Sequence, residues 1–214
     1  MGHTQAFVIT LLIWAVPTVV AIVFHEVMHG RTALAFGDET AARAGRLTFN
    51  PLYHIDPIGT VALPAFLLFL HLPVFGYAKP VPVDFRRLNP QRLGMVVVAA
   101  AGPLTNFALA AASAIAFKFV NTLPLAGMAV YIMPSLLRAS VAVNVMLGVF
   151  NLLPLLPLDG GRVLAGIMPS AWARSYARLE RFGFLLLVLL LYTDWFDAMI
   201  NPVIRTIIRA LGVA

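Results

Sequence analysis

His25-Glu26-Val27-Met28-His29 is the stretch whose reading decides this chain. It lies near the end of an apolar run from Ala6 to Phe36, long enough to cross a bilayer. Three polar side chains there need a reason, because an unpaired ionisable group in hydrocarbon is costly. On a helix, residues four apart share a face one turn apart. His25 and His29 can therefore direct two imidazoles at one zinc ion. Glu26 starts one residue on, so it can reach a water activated by that ion as general base, without ligating. With five His and three Glu in 214 residues, the pattern is expected by chance only about 0.002 times.

Composition sets the surroundings. The chain is 61% hydrophobic and 11% charged, with a mean hydropathy of +0.90. Soluble domains carry about 25% charge, so the reading is an all-α polytopic membrane protein. We expect about four to six transmembrane helices, a re-entrant segment and a short extended strip, in one integral-membrane domain over residues 1–214. Cysteine is absent, which excludes disulfides, thiolate ligands and cysteine nucleophiles. The pI near 10.3 raises nucleic acid as a partner. The basic residues, however, are dispersed among loops between apolar segments, the pattern of topology-setting charge. The N-terminal stretch is too long for a signal peptide and holds the motif, so it is expected to be retained.

Past the first span, residues 37–60 are polar and turn-rich, ending Asn50-Pro-Leu-Tyr-His54-Ile-Asp56-Pro-Ile-Gly-Thr60. His54 and Asp56 are candidate ligands or hydrogen-bonding groups near the site, and equally turn formers at the membrane surface. Val61 to Phe75 is apolar but too short to span and is broken by Pro64 and Pro73, which suggests re-entry. In Gly76 to Asp84, Pro80 and Pro82 remove alternate backbone donors and hold the strip extended, as a sheet edge or a plain linker. Arg92 to Val120 is a second span containing Ala101-Gly-Pro-Leu-Thr-Asn106. Gly102-Pro103 would kink it or begin its well-packed part, and Asn106 reads as structural glue seeking a buried partner. Residues 121–138 are interrupted by Pro124, Gly127 and Pro134. Ala139 to Leu158 reads as another span, leading into Asp159-Gly160-Gly161-Arg162. An amphipathic interfacial helix over 163–181, a span around Phe182 to Leu191 closed by Tyr192 and Trp195, and a short amphipathic tail complete the chain.

Two histidines leave a zinc site short of a third ligand. A histidine six residues after His29 would supply one, but position 35 is Ala. Glu39 and Glu180 lie outside the apolar segments. Asp159 is the leading candidate: it follows a long apolar run, and the two glycines behind it allow close backbone approach.

Taken together, the motifs at His25–His29, Asn50–Thr60, Ala101–Asn106 and Asn151-Leu-Leu-Pro-Leu-Leu-Pro-Leu-Asp159-Gly-Gly-Arg162 resemble the site-2 proteases, intramembrane zinc metalloproteases. The resemblance covers roughly residues 7–165, with C-terminal helices over about 166–214. It implies one Zn2+ per chain held by His25, His29 and Asp159, with Glu26 as catalytic base. Asn151 matches an asparagine close to the reacting carbonyl, and His54 is a second candidate oxyanion donor. The expected form is minimal, without an inserted PDZ-like or nucleotide-sensing domain. Its partners would be transmembrane protein substrates and membrane lipid, with no nucleic acid and no adaptor identified.

Topology bears on the same reading. One ion needs His25/His29 and Asp159 at one depth, so the helices leading to them must run parallel, separated by an odd number of full crossings. Arg92–Val120 supplies one. Arg43, Arg46, Lys79, Arg86, Arg87, Arg92, Arg162, Arg174, Arg178 and Arg181 then share a face, against Lys118 and Arg138 opposite. By the positive-inside rule that face is cytoplasmic, giving a multi-pass protein of the cell membrane with its site toward the cytoplasm. The alternative is a non-catalytic membrane metal-binding protein or transporter, which would use the same ligands but has no need of Glu26. A di-iron histidine-box enzyme would need more histidines than this chain has.

Overall fold

In the computed structural model, residues 2–70, 76–191 and 193–213 are described. The last part of the Val61–Phe75 segment and Tyr192 fall outside them, as does the side chain of Trp195. The helices are α1 (His3–Ala35), α2 (Thr40–Arg43), α3 (Leu63–Phe69), α4 (Gln91–Val120), α5 (Ala129–Asn151), α6 (Asp159–Ile167), α7 (Ser170–Ala177), α8 (Glu180–Leu191) and α9 (Asp194–Ala210). A 3₁₀ turn, Pro51–His54, and a π turn, Pro57–Ala62, lead into α3. Among the described residues no strand forms, and α1, α4 and α5 are the helices long and apolar enough to cross a membrane.

Those three helices make the core. Asn106 of α4 meets Ala21 of α1 and Asn144 of α5, while Ser113 of α4 meets Ser140 of α5. Residue numbers fall along α5 as they rise along α4, so α4 runs against α5, and it runs against α1 too, where Val98 lies by His29 and Asn106 by Ala21. The helices that carry His25 and lead to Asp159 therefore run parallel, with α4 returning between them. Small buried residues on α4 (Ala99, Gly102, Ala110, Ala114) let its neighbours approach closely, which matters where packing replaces the hydrophobic effect. Phe7, Leu11, Leu12 and Trp14 are exposed on the first half of α1, as befits a lipid-facing surface.

Proline explains where the elements differ from the sequence expectation. The span read as Ala139–Leu158 begins earlier, at Ala129, and ends at Asn151. Beyond it, Pro154 and Pro157 hold residues 152–158 in turns, because each lacks the N–H a helix requires. The helix expected over 163–181 is two helices, since Pro169 forces Met168 to an extended conformation (ψ 151). Arg92 closes the first of these by donating to the carbonyls of Gly166 and Met168. At Gly183 of α8 an added Cβ would stand 2.0 Å from the Leu156 carbonyl oxygen, so α8 is seated on the 152–158 turns. The tail helix α9 packs Ile204, Ile207 and Ile208 against the α4–α5 cluster around Val141 and Val145.

Candidate metal centre

The site forms where the C-terminal half of α1 lies against the first half of α4. His25 and His29 project from one face of α1 and are buried, at 7% and 9% exposure. Each ring is fixed at its Nδ1. His29 Nδ1 lies 2.7 Å from the Val98 carbonyl, and His25 Nδ1 lies 2.7 Å from Asn106 Oδ1. A carbonyl oxygen only accepts, so both Nδ1 atoms carry the proton and donate. In its neutral form each imidazole then presents a bare Nε2 lone pair on the other side of its ring.

Asp159 brings a third acceptor to the same point. It is the first residue of α6, and the turns before α6 are tight enough to exclude side chains from the next two positions. A Cβ at Gly160 would lie 2.2 Å from the Leu152 carbonyl oxygen, and one at Gly161 would lie 2.5 Å from the Leu156 backbone nitrogen. With those glycines in place, Asp159 Oδ2 comes within 3.1 Å of His25 Nε2 and 3.3 Å of His29 Nε2. The two Nε2 atoms are 3.0 Å apart.

With both imidazoles neutral, three lone-pair atoms face one another. Asp159 Oδ2 is buried and has no hydrogen-bond partner, and leaving such a carboxylate oxygen unsatisfied is expensive. A cation resolves the conflict. Ligand atoms at about 2.0–2.1 Å from a tetrahedral ion stand about 3.3 Å from one another, close to the separations observed. Space is available as well, because Gly102 of α4 has no side chain facing the cluster. A Cβ there would sit 2.4 Å from His29 Nε2 and 2.7 Å from His25 Nε2. The donor set, its spacing and this gap all fit a bound metal.

Around the cluster is a cleft of about 410 Å³, whose walls include Glu26, Asn151, Arg162 and the strip Pro80–Val83. Glu26 Oε2 accepts a 2.7 Å hydrogen bond from the Val81 N–H. Asn151, the last residue of α5, donates to the Leu147 carbonyl at 3.0 Å. Arg162 stacks over Phe85 and reaches toward Glu180 of α8 at 3.5 Å.

His54 and Asp56 are not brought to the cleft. His54 is buried and its Nε2 donates to the Thr48 carbonyl, while its own carbonyl accepts from the Lys79 N–H. Asp56 caps the following turn, accepting from the Ile58 and Gly59 N–H groups at 3.0 and 2.7 Å. Both make local contacts of the kind turn formers make. Sequence reading missed two contributors. Gly102 read as a kink or as the start of the span's well-packed part, but its place against the two imidazoles is not legible from the sequence. Asn106 read as glue seeking a buried partner, and a partner it meets is His25.

A bundle of membrane-length helices thus carries a two-histidine, one-carboxylate group that could hold a metal ion, in a cleft shared with a glutamate. The chain belongs to peptidase family M50, whose family model matches residues 13–192. It is 33% identical over 197 residues to "Putative zinc metalloprotease YwhC" of Bacillus subtilis, covering 87% of this chain and 83% of that protein. It is 27% identical over 219 residues to "Putative zinc metalloprotease Rip2" of Mycobacterium tuberculosis, covering 100% and 78%. A Mycolicibacterium smegmatis protein of the same name is 26% identical over 205 residues, covering 94% and 74%. No solved structure gives a significant match.

Proposed function

We propose that this chain is a zinc-dependent intramembrane endopeptidase in which His25, His29 and Asp159 hold one ion and Glu26 is the general base. The observation that carries this reading is the convergence of three acceptor atoms at 3.0–3.3 Å in the same cleft as Glu26. Zinc, when bound, supplies polarisation of the scissile carbonyl and a water whose pKa is lowered toward neutrality.

The chain's own residues do the rest. Val81 holds Glu26 Oε2, which orients the carboxylate and leaves Oε1 to take the proton of the attacking water. As the C–O bond forms, Glu26 accepts that proton, and it passes it to the leaving nitrogen as the C–N bond breaks. Asn151 has side-chain N–H groups in the cleft wall, suited to the oxygen that gains charge on the carbonyl; His54, away from the cleft, is the weaker candidate. The extended Pro80–Val83 wall fits an unwound substrate segment, and a transmembrane substrate must unwind to expose its carbonyls. The substrates are therefore membrane proteins cut in or near a transmembrane segment. The charge asymmetry about the bundle favours a cytoplasmic-side site in the cell membrane.

The test is cleavage of a tagged single-span substrate, with metal content measured alongside, by wild type, Glu26→Gln and Asp159→Ala. Glu26→Gln should keep its zinc and lose about 10²–10⁴ in rate, while Asp159→Ala should lose the ion. Equal cleavage by wild type and Glu26→Gln would refute the base assignment. Zinc in wild type and Glu26→Gln with no cleavage of a broad substrate panel would favour a binding protein.

A further inference from the structure

We propose that Asn106 is a positioning residue for the metal centre: aimed by Asn144 and the Ala21 carbonyl, its side-chain oxygen fixes His25 as the Nδ1–H tautomer and so frees Nε2 for the ion. This rests on the metal-binding reading of the cluster and adds a second layer behind it.

The argument runs inward from groups with only one possible role. The Ser140 carbonyl accepts a 2.9 Å hydrogen bond from Asn144, so that contact must come from the Asn144 amide nitrogen. Asn144 Oδ1 consequently faces the other way, toward Asn106, and accepts from it at 2.9 Å. The Ala21 carbonyl also accepts from the Asn106 amide nitrogen, at 3.2 Å. With both amide protons of Asn106 engaged by acceptors, its Oδ1 is the atom left for His25 Nδ1, at 2.7 Å. Turning the Asn106 amide over would set its oxygen against two others.

Burial makes the setting rigid. Asn106 is 0% exposed and Asn144 1%, and in a low-dielectric helix interface a lost partner leaves a costly unsatisfied group. The device also spans three helices, since Ala21 is on α1, Asn106 on α4 and Asn144 on α5. Ser113 of α4, 2.8 Å from Ser140 Oγ, extends it by one pair. His29 has no comparable side-chain support, because its Nδ1 partner is the Val98 backbone carbonyl, which no substitution removes. His25 is thus the ligand whose tautomer depends on side-chain identity. In the opposite tautomer its Nε2 would carry a proton aimed at the cluster and could not ligate.

The experiment reads tautomer and affinity separately, on the full chain in detergent. Imidazole ¹⁵N spectra of the metal-free wild type should show His25 protonated at Nδ1, and Asn106→Leu should lose that preference. Zinc affinity, measured by chelator competition, should fall about 10–100-fold in Asn106→Leu. It should fall in the same direction in Asn144→Leu and stay unchanged in Ser113→Ala. A metal-free wild type with His25 protonated at Nε2 would overturn the proposal without any substitution, so a variant that fails to fold leaves it testable. Equal zinc affinity in wild type and Asn106→Leu would also overturn it. A wild type that binds no zinc would instead overturn the metal reading on which it rests.

Discussion

Adding one methyl group at Gly102 should empty the metal site. The position of the added carbon is fixed by the α4 backbone, and it would lie 2.4 Å from His29 Nε2, 2.6 Å from His25 Cε1 and 2.7 Å from His25 Nε2. Ordinary carbon contacts fall at about 3.5–4.0 Å, so each of these must open by about 1 Å. A side chain with freedom would swing away. These two imidazoles are pinned at Nδ1 by Asn106 and Val98, so relief must come from breaking a pin or moving a helix. Either outcome exceeds the roughly ±0.2 Å within which ligand distances define a metal site. Overpacking of this kind costs about 1–3 kcal/mol. Drawn entirely from metal binding, that is a roughly 5- to 160-fold weaker affinity, before counting the methyl group's occupation of the ion's own space.

The assay is zinc content and chelator competition for Gly102→Ala beside Gly148→Ala. Gly148 gives the control, because a Cβ there meets the Phe107 ring at 2.9 Å, overpacking α4 against α5 away from the cluster. Gly148→Ala should lower the melting temperature and keep its zinc. Gly102→Ala with stoichiometric zinc at wild-type affinity would refute the reasoning, and so would equal zinc loss in both variants, which would mean that any overpacking of α4 is enough.

Two further outcomes follow from the structure. Because the chain lacks cysteine, single cysteines at the exposed positions Ala42, Arg86 and Thr122 should report topology cleanly. An impermeant thiol reagent added to intact cells should label only position 122, and labelling at 86 would refute the proposed orientation. The fully buried Asp38, just beyond α1, accepts hydrogen bonds from Thr40 and from the Asp84 N–H. Burial opposes its charged form, but these hydrogen bonds and Arg87 outweigh it and hold the carboxyl below the ordinary 3.8. Its stabilising contribution is therefore present above about pH 3.8 and lost as pH falls through the lower folded value. Hydrogen exchange at Asp84 should accelerate in that window in wild type, while Asp38→Asn should lack that pH dependence.

What the sequence made legible was what local spacing controls. His25 and His29 share a face because they are four apart on a helix, and Asp159 was marked by the two glycines that let its turn close. Other parts depended on partners far away along the chain. Nothing near Asn106 names His25 or Ala21, 81 and 85 residues distant. The glycine at 102 reads as a kink or as a close-packing point, and its partner is evident only once α1 is laid beside it. Short apolar segments were the other difficulty: α3 and α8, at 7 and 12 residues, fall below the length at which apolarity alone implies crossing.

The strip before α4 shows how much one local rule can carry once partners are known. In extended backbone the N–H and C=O of a residue point to the same side, and those of its neighbours to the other. Tyr77 donates to the Gly59 carbonyl and accepts from Thr60, and Lys79 donates to the His54 carbonyl and accepts from Arg46. Val81 continues the alternation by donating to Glu26. The odd-numbered residues thus fasten the strip to the bundle and hold Glu26. Pro80 and Pro82 face the other way and have no N–H to offer. Between Lys79 and Val83 the outer edge is therefore made of carbonyl acceptors alone. Under the proposed function, a substrate segment laid along it would donate its own N–H groups and receive none from the two prolines. What the contacts do show is that the N–H between the two prolines, that of Val81, is held against Glu26.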